Sequence, residues 1–275
     1  DDDQAIYGWA GADVQRFQEE PAKDIVLPQS YRVPQAVQQI ADQILNRIPD
    51  DRRIKKQWAP RPETGNVDHI TSIEDAPLHQ SDWLILARTN DKLIKLKSIL
   101  RDIPIYFEIK GRKSYKTRLY TAIKNYTRWT KGDKLSLSEC KDLFEYLELD
   151  QELKEERMYD LQEFGYKTTD EWYEVFKSDP EECLYIREML RSGEKLDNPA
   201  RVKLSTIHAA KGGEATNVLI ILDNTKKIRE AIDKSEDKQD EEHRVWYVGV
   251  TRTKQNLYIM TAKQEDRGYD IESIT

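Results

Sequence analysis

The sequence predicts an α/β fold: a mainly parallel β-sheet with helices on both faces, interrupted by a small helical insertion. Two observations carry this reading. Continuous apolar runs at residues 83–87, 217–222 and 257–260 have the pattern of strands buried on both faces, and helical periodicity separates such runs elsewhere in the chain. The alternation of strand and helix then stops near Lys116 and resumes at Val202, with helical patterns only in between.

Taken in order, residues 13–20 read as a short helix ended by Pro21, and residues 24–27 as a strand. A helix follows with Pro34 in its first turn, where a missing N–H costs nothing. Val37, Ile40, Ala41, Ile44, Leu45 and Ile48 fall on one face of it. Residues 51–80 are polar and proline-bearing, with one strand near 67–73. Residues 83–87 form a buried strand. Residues 91–101 form a helix with Leu93, Leu96, Ile99 and Leu100 inward, and 105–109 a short strand. The insertion holds helical patterns at 116–131, 137–147, 151–164, 169–177 and 180–191, and 193–199 is the return linker. Residues 202–205 alternate like a half-buried strand. The charged stretch 226–240 reads as a solvated helix or loop without chemistry, and 241–254 as an amphipathic segment. Strands 24–27, 83–87, 202–205, 218–222 and 257–260 are expected to share one sheet.

A net charge of −7 argues mildly against nucleic acid, but charge placement matters more than the sum. Residues 111–132 contain no acidic side chain. Arg112, Lys113, Lys116, Arg118, Lys124, Arg128 and Lys131 alternate there with Tyr115, Tyr120, Tyr126 and Trp129. Such a segment suits a phosphate backbone. It equally suits a solvated helix face whose aromatics are core. Cys140 and Cys183 are isolated, lack metal-ligand spacing, and fit a reducing compartment. No apolar run reaches membrane-spanning length and no secretory signal opens the chain. A cytoplasmic protein with no membrane partner and no metal-ligand residues is expected. No acidic cluster of nuclease type is present.

The chemistry concentrates in residues 204–214. An imidazole, an ammonium, two adjacent glycines and a carboxylate lie between two predicted strands: His208, Lys211, Gly212, Gly213 and Glu214. Glycine lets backbone N–H groups approach a ligand closely, which suits a phosphorylated one. A tight turn with solvated polar groups is the other reading of the same residues.

Residues 206–214 read T-x-H-x-x-K-G-x-E, and residues 241–252 read E-E-x-R-x-x-Y-V-x-x-T-R. Together they resemble the fifth and sixth motifs of UvrD/Rep-type superfamily 1 DNA helicases. Residues 2–12, D-D-Q-A-I-Y-G-W-A-G-A, are similar to the third motif. Residues 27–32, L-P-Q-S-Y-R, are similar to the fourth, and Arg88-Thr89-Asn90 to the family's R-T-N segment. The five matches stand in the family's order over nearly the whole chain.

The resemblance implies the C-terminal part of an ATP-dependent DNA helicase and translocase, moving 3′ to 5′ on single-stranded DNA in repair or replication. Residues 1–22 would be the tail of a first RecA-like domain. Residues 23–115 and 200–275 would form the second RecA-like domain, and 116–199 a helical accessory subdomain. No G-x-x-x-x-G-K-[ST] occurs in this sequence. The Asp-Glu pair that would precede the third motif is absent too. The missing first domain is therefore an expected partner, beside single-stranded DNA or a duplex/single-strand junction. ATP and Mg2+ are expected cofactors of the complete protein, with no tight binding and no activity in this chain alone.

By the same resemblance, Arg32 and Arg252 would reach the γ-phosphate and Gln4 would sense it. Tyr31 would stack on adenine. Gly212 and Glu214 would serve the nucleotide, Glu214 near its ribose or metal. Trp9 would stack on a base, with Tyr7 either beside it or in the core. Arg88, Asn90, Thr206 and His208 would contact the strand's backbone. Three departures from the family pattern stand out: Ala10 where Arg is usual, Gly213 where Leu is usual, and His243 where Arg is usual. A non-catalytic nucleic-acid-binding or interaction module that keeps the fold is the competing function.

Overall fold

The computed structural model describes residues 1–19, 21, 25–149, 154, 157–262 and 268–271, without the side chains of Trp9, Gln15, Phe17 and Gln18. In chain order, α1 spans Val14–Glu19, α2 Gln35–Leu45, β1 Asn66–Ile70, β2 Trp83–Ala87, α3 Asn90–Asp102, β3 Phe107–Ile109, β4 Arg112–Lys113, α4 Thr117–Thr130, α5 Leu137–Leu147, α6 Trp172–Val175, α7 Pro180–Arg191, β5 Val202–Thr206, β6 Ala215–Ile221, α8 Lys226–Ile232, α9 Glu236–Val250 and β7 Thr253–Met260. Two compact units result, one from Asp1–Ile99 with Arg201–Thr275 and one from Leu100–Ala200. The second unit thus begins inside α3, ahead of residue 116.

The first unit is an α/β domain on five parallel strands in the order β1-β7-β6-β2-β5. Trp83 stands opposite Val202 on one side and Asn217 on the other. The strand before the insertion therefore lies between two strands that follow it. All five residues of β2 are buried, as a strand covered on both faces requires. The strand expected at 24–27 does not form. Ile25 and Leu27 are 76% and 79% exposed, and Asp24 lies outside the described residues. Only a single bridge, Gln29 with Ala59, forms nearby. Pro28 has no N–H to extend a ladder. The sheet edge is taken by β1 instead, with Val67 opposite Leu257.

Helix α9 corrects a second expectation. Every residue from Glu242 to Val250 is buried. A helix buried all round is a core element, not an amphipathic surface one. It packs against α2 and β6. Gly249 permits this approach: a Cβ there would lie 2.7 Å from Ile220 Cδ1 and 3.4 Å from Ile207 Cδ1. On α2, Val37, Ile40, Ala41, Ile44 and Leu45 are buried as the periodicity predicts. Pro34 caps this helix from outside its first turn, and Ile48 is buried beyond its end.

His243, given no role from the sequence, is buried in this core with Nδ1 2.7 Å from the Tyr269 hydroxyl. Burial, then the charges of Arg47 and Arg244, lower its pKa from 6.5 to about 4. The fold therefore disfavours the protonated ring. Its contribution is complete above pH 6.5 and is lost as pH falls toward 4. His243→Gln should remove roughly 2 kcal/mol of the stability change between pH 7.5 and pH 5. Urea unfolding of both proteins at the two pH values measures this. The buried carboxyls Asp42 and Asp240, whose pKa values burial raises, titrate in the opposite sense in both proteins and drop out of the difference. An unchanged pH dependence would refute the assignment.

The second unit has its own core, formed by residues such as Leu119, Tyr126, Trp129, Leu143, Ile186 and Met189. Capping sets its helix ends: Ser136 and Glu139 form a capping box on α5, and Pro180 opens α7 behind the Asp179 cap. The basic, aromatic segment resolves toward packing. Tyr115, Tyr120, Tyr126 and Trp129 are buried. Arg118 pairs with Glu145 at 2.5 Å, Lys124 with Asp197 at 2.7 Å and Arg128 with Asp133 at 3.1 Å.

Three local expectations for this unit are corrected. The strand at 105–109 shortens to β3 and turns back through Lys110 and Gly111, both at positive φ, into antiparallel β4. Of the helix expected over 151–164, residues 151–153, 155 and 156 lie outside the described residues; the rest hold a bridge from Tyr159 to Leu135 and a 3₁₀ turn, Leu161–Phe164, capped by Asp160. The helix at 169–177 contracts to α6. No helix among the described residues is long and apolar enough to cross a membrane.

Candidate functional site

Parallel strands force the site's layout. Strand β5 ends at Thr206 and β6, on the far side of β2, begins at Ala215. Residues 207–214 must therefore run back from the carboxyl ends of the strands to their amino ends. Ile207 and Ala210 anchor this return in the core. Gly212, at φ +90, makes the left-handed turn that lets it close. One end of the return carries Thr206 and His208, and the other carries Glu214.

At the amino ends lies a cavity of about 740 Å³. Gln4, Tyr31, Arg32, Glu214 and Arg252 all line it. Five of the six residues expected to serve the nucleotide thus converge, although they are far apart in sequence. Gly212 does not line this cavity; its part is the turn. Arg252 is only 2% exposed. Its Nε donates to Val248 O at 2.9 Å and its Nη2 to Thr251 Oγ1 at 3.2 Å. Burial, then the nearby Arg32 charge, lowers its pKa to about 10, which leaves it cationic at neutral pH. Arg32 Nε lies 3.7 Å from Glu214 Oε2, and this buried N–H has no hydrogen-bond partner among the described residues. Lys254 holds the other Glu214 oxygen at 3.5 Å. Two guanidinium groups lining one cavity, one with an unsatisfied N–H, suit a polyanion. Tyr31, 89% exposed, offers its ring at the rim. Gln4 Nε2 donates to Asp1 Oδ2 at 2.7 Å.

At the carboxyl ends lies a separate groove of about 510 Å³, where open parallel sheets place ligands. Arg88 and Asn90, just after β2, line it together with Thr206 and His208, at and after the end of β5. These are four of the six residues expected on the DNA strand. Arg88 is already engaged. Its Nε lies 3.1 and 3.0 Å from the two Glu242 oxygens, and its Nη2 3.0 Å from Oε2. Glu242 is 3% exposed, and its burial raises its pKa against the pull of Arg88. His208 is lowered to about 4, by burial first and the Arg88 charge second, so it is neutral at pH 7.

Tyr7 sits between the two ends of the return. It packs on the core and its hydroxyl donates to His208 O at 2.8 Å. Lys211 Nζ lies over the Tyr7 ring at 5.4 Å and donates to Gln4 O at 2.7 Å. Trp9 belongs to the 3₁₀ turn Gly8–Ala10, with its side chain outside the described set. Asp1, Asp2 and Asp3 bring carboxylate oxygens within 4.8 Å of one another. Lys56 pairs with all three and Arg53 with Asp3, so cations of the chain already engage this cluster.

Sequence reasoning left Lys254, Lys211 and Glu242 without roles. Lys254 follows the Thr-Arg pair by two residues, and Glu242 is the second acid of E-E-x-R. Lys211 and Glu242 stand inside quoted motifs and Lys254 just beyond one, but nothing local says which partner each will meet.

A parallel α/β sheet with one polar cavity at each end of its strands, joined by a single T-x-H-x-x-K-G-x-E return, defines a helicase-type domain. A family model described as the UvrD-like helicase C-terminal domain matches residues 112–264, more than half of the chain, and the chain belongs to that family. A helicase-family role and interaction with nucleic acid come with that membership. Thr206, His208, Gly212, Glu214 and Arg252 fall inside the matched stretch. Gln4, Tyr31, Arg32, Arg88 and Asn90 precede it. A comparison with curated proteins finds no significant match.

Proposed function

We propose that the chain is the C-terminal part of an ATP-dependent DNA helicase and translocase that couples hydrolysis to 3′–5′ movement along single-stranded DNA. One observation supports this most. The 207–214 return ends at the arginine cavity on one side and starts at the Arg88 groove on the other. A shift of this single connection would be felt at both places. The orphaned Arg32 N–H and the two converging guanidinium groups fit a triphosphate. Arg32, Arg252, Gln4, Tyr31 and Glu214 would hold ATP with its Mg2+. When bound, the nucleotide supplies the phosphoryl group whose transfer releases the free energy for movement. Arg252 and Arg32 would offset charge on the departing phosphate. Tyr31 would give adenine a flat face. Asn90 and Thr206 would donate to the strand's phosphates, with neutral His208 beside them.

The phosphate-cradling lysine is expected on a first RecA-like domain, because this sequence has no such loop. The chain alone should therefore hydrolyse no ATP, with or without single-stranded DNA, and should gain DNA-stimulated turnover when that domain is supplied. Phosphate release from the isolated chain, stimulated by DNA and abolished by Arg252→Ala, would defeat this. The competing reading is a non-catalytic nucleic-acid-binding or interaction module that keeps the fold. Under that reading the joined protein binds DNA and turns over no ATP.

A further inference from the structure

Helix α8 lies in the charged stretch that the sequence reads as solvated and without chemistry. It nevertheless forms a wall of the Arg88 groove, through Lys227, Ile228, Ala231 and Ile232. The Thr225 side chain caps its start by accepting from Ile228 N at 3.3 Å, and the helix packs on α9. Its place on the groove is therefore set by a cap and by packing.

The groove is lined by three permanent cations, and two are occupied. Arg88 holds Glu242, and Lys238 holds Glu241 at 2.7 Å. Lys227 is exposed and has no carboxylate within 4.0 Å among the described residues. Its neighbour Lys226 pairs with Glu230 at 3.8 Å and does not line the groove. Behind Lys227 the helix presents half-buried Ile228, Ala231 and Ile232. A free ammonium beside an apolar face, in the same groove as the polar Asn90 and Thr206, matches one nucleotide of a single strand: phosphate to the cation, base to the apolar face.

We propose that α8 is the second wall of the nucleic-acid groove, with Lys227 as a phosphate contact and Ile228 and Ile232 as the surface for a base. This rests on the reading that the groove takes single-stranded DNA. It adds a contact that the helicase motifs do not contain.

The test is anisotropy of a fluorescein-labelled oligothymidylate with the full chain across a salt series. Lys227→Ala should weaken binding for all base compositions alike. It should also reduce the slope of log K against log salt by about 0.7, the value for one phosphate of a single strand. Lys226→Ala should leave both unchanged. Ile228→Ala with Ile232→Ala should weaken binding to oligothymidylate but not to an abasic strand of equal length, with the salt slope kept. If Asn90→Ala and Thr206→Ala weaken binding while the α8 variants do not, the second wall is refuted and the groove stands. If Lys226→Ala and Lys227→Ala act equally, the effect is general charge and the specific contact is refuted. If the unsubstituted chain binds no strand, both readings fall.

Discussion

Arg252→Ala, in the chain joined to its first RecA-like domain, should lower DNA-stimulated ATP turnover by about 10³-fold, the scale of a lost arginine finger. Three observations set that size. The guanidinium lines the cavity that also gathers Arg32, Gln4 and Tyr31. It is positioned by bonds to Val248 O and Thr251 Oγ1, so it does not have to be ordered when charge develops. Burial and Arg32 oppose its charge in the free protein, so an arriving anion gains more there than at a solvated arginine. Arg252→Lys should rescue little, because a point charge cannot reproduce the planar fork. Affinity for single-stranded DNA should change little, since the other groove lies at the opposite ends of the strands. Urea unfolding of the variant separates lost turnover from lost fold. Intact turnover in a folded Arg252→Ala protein would remove Arg252 from catalysis. Loss of DNA affinity with turnover kept would mean that the two ends of the sheet are assigned the wrong way round.

Arg88→Ala should destabilise the domain by roughly 3–5 kcal/mol, the cost of leaving a buried charge without its partner. The carboxylate left behind is Glu242, in the fully buried stretch Glu242–Val250 of α9. Protonation would relieve part of the penalty, so the loss should be smaller at pH 5 than at pH 8. Combining Arg88→Ala with Glu242→Gln should recover part of the stability at neutral pH, and the cycle of the two should show strong coupling. If Arg88 also contacts the DNA backbone, as proposed for its groove, the variant should show a salt slope lower by about 1 and weaker binding for all sequences. The two effects are separable. Unchanged stability with a reduced salt slope would mean that Arg88 serves the strand and that its bond to Glu242 is dispensable. Lost stability with an unchanged slope would mean the reverse.

The sequence by itself determined the α/β class, the interruption between 116 and 202, and nine residues that meet in the two cavities, out of twelve candidates. These are local facts: an apolar run at Trp83–Ala87, helical spacing on α2, and motif residues at fixed short separations. Two of its local readings failed where a neighbour outvoted the pattern. Ile25–Leu27 has the composition of a strand, but β1 holds the sheet edge. The 241–254 segment reads as amphipathic, yet Glu242, His243, Arg244 and Arg252 are buried with its apolar residues. The basic stretch around α4 was open between phosphate tracking and packing, and only the core could show where its tyrosines go. Tertiary structure alone decided the electrostatics. Arg88 meets Glu242 across 154 residues, Arg52 meets Asp240 across 188, and Tyr7 meets His208 across 201. It also decided that α8 borders a groove. Backbone periodicity is a property of neighbours within a few residues, so it can say which face of an element is apolar. Which charge ends up opposite which is set by strand order and by the direction in which each connection must return, and neither is written in any single stretch of the chain.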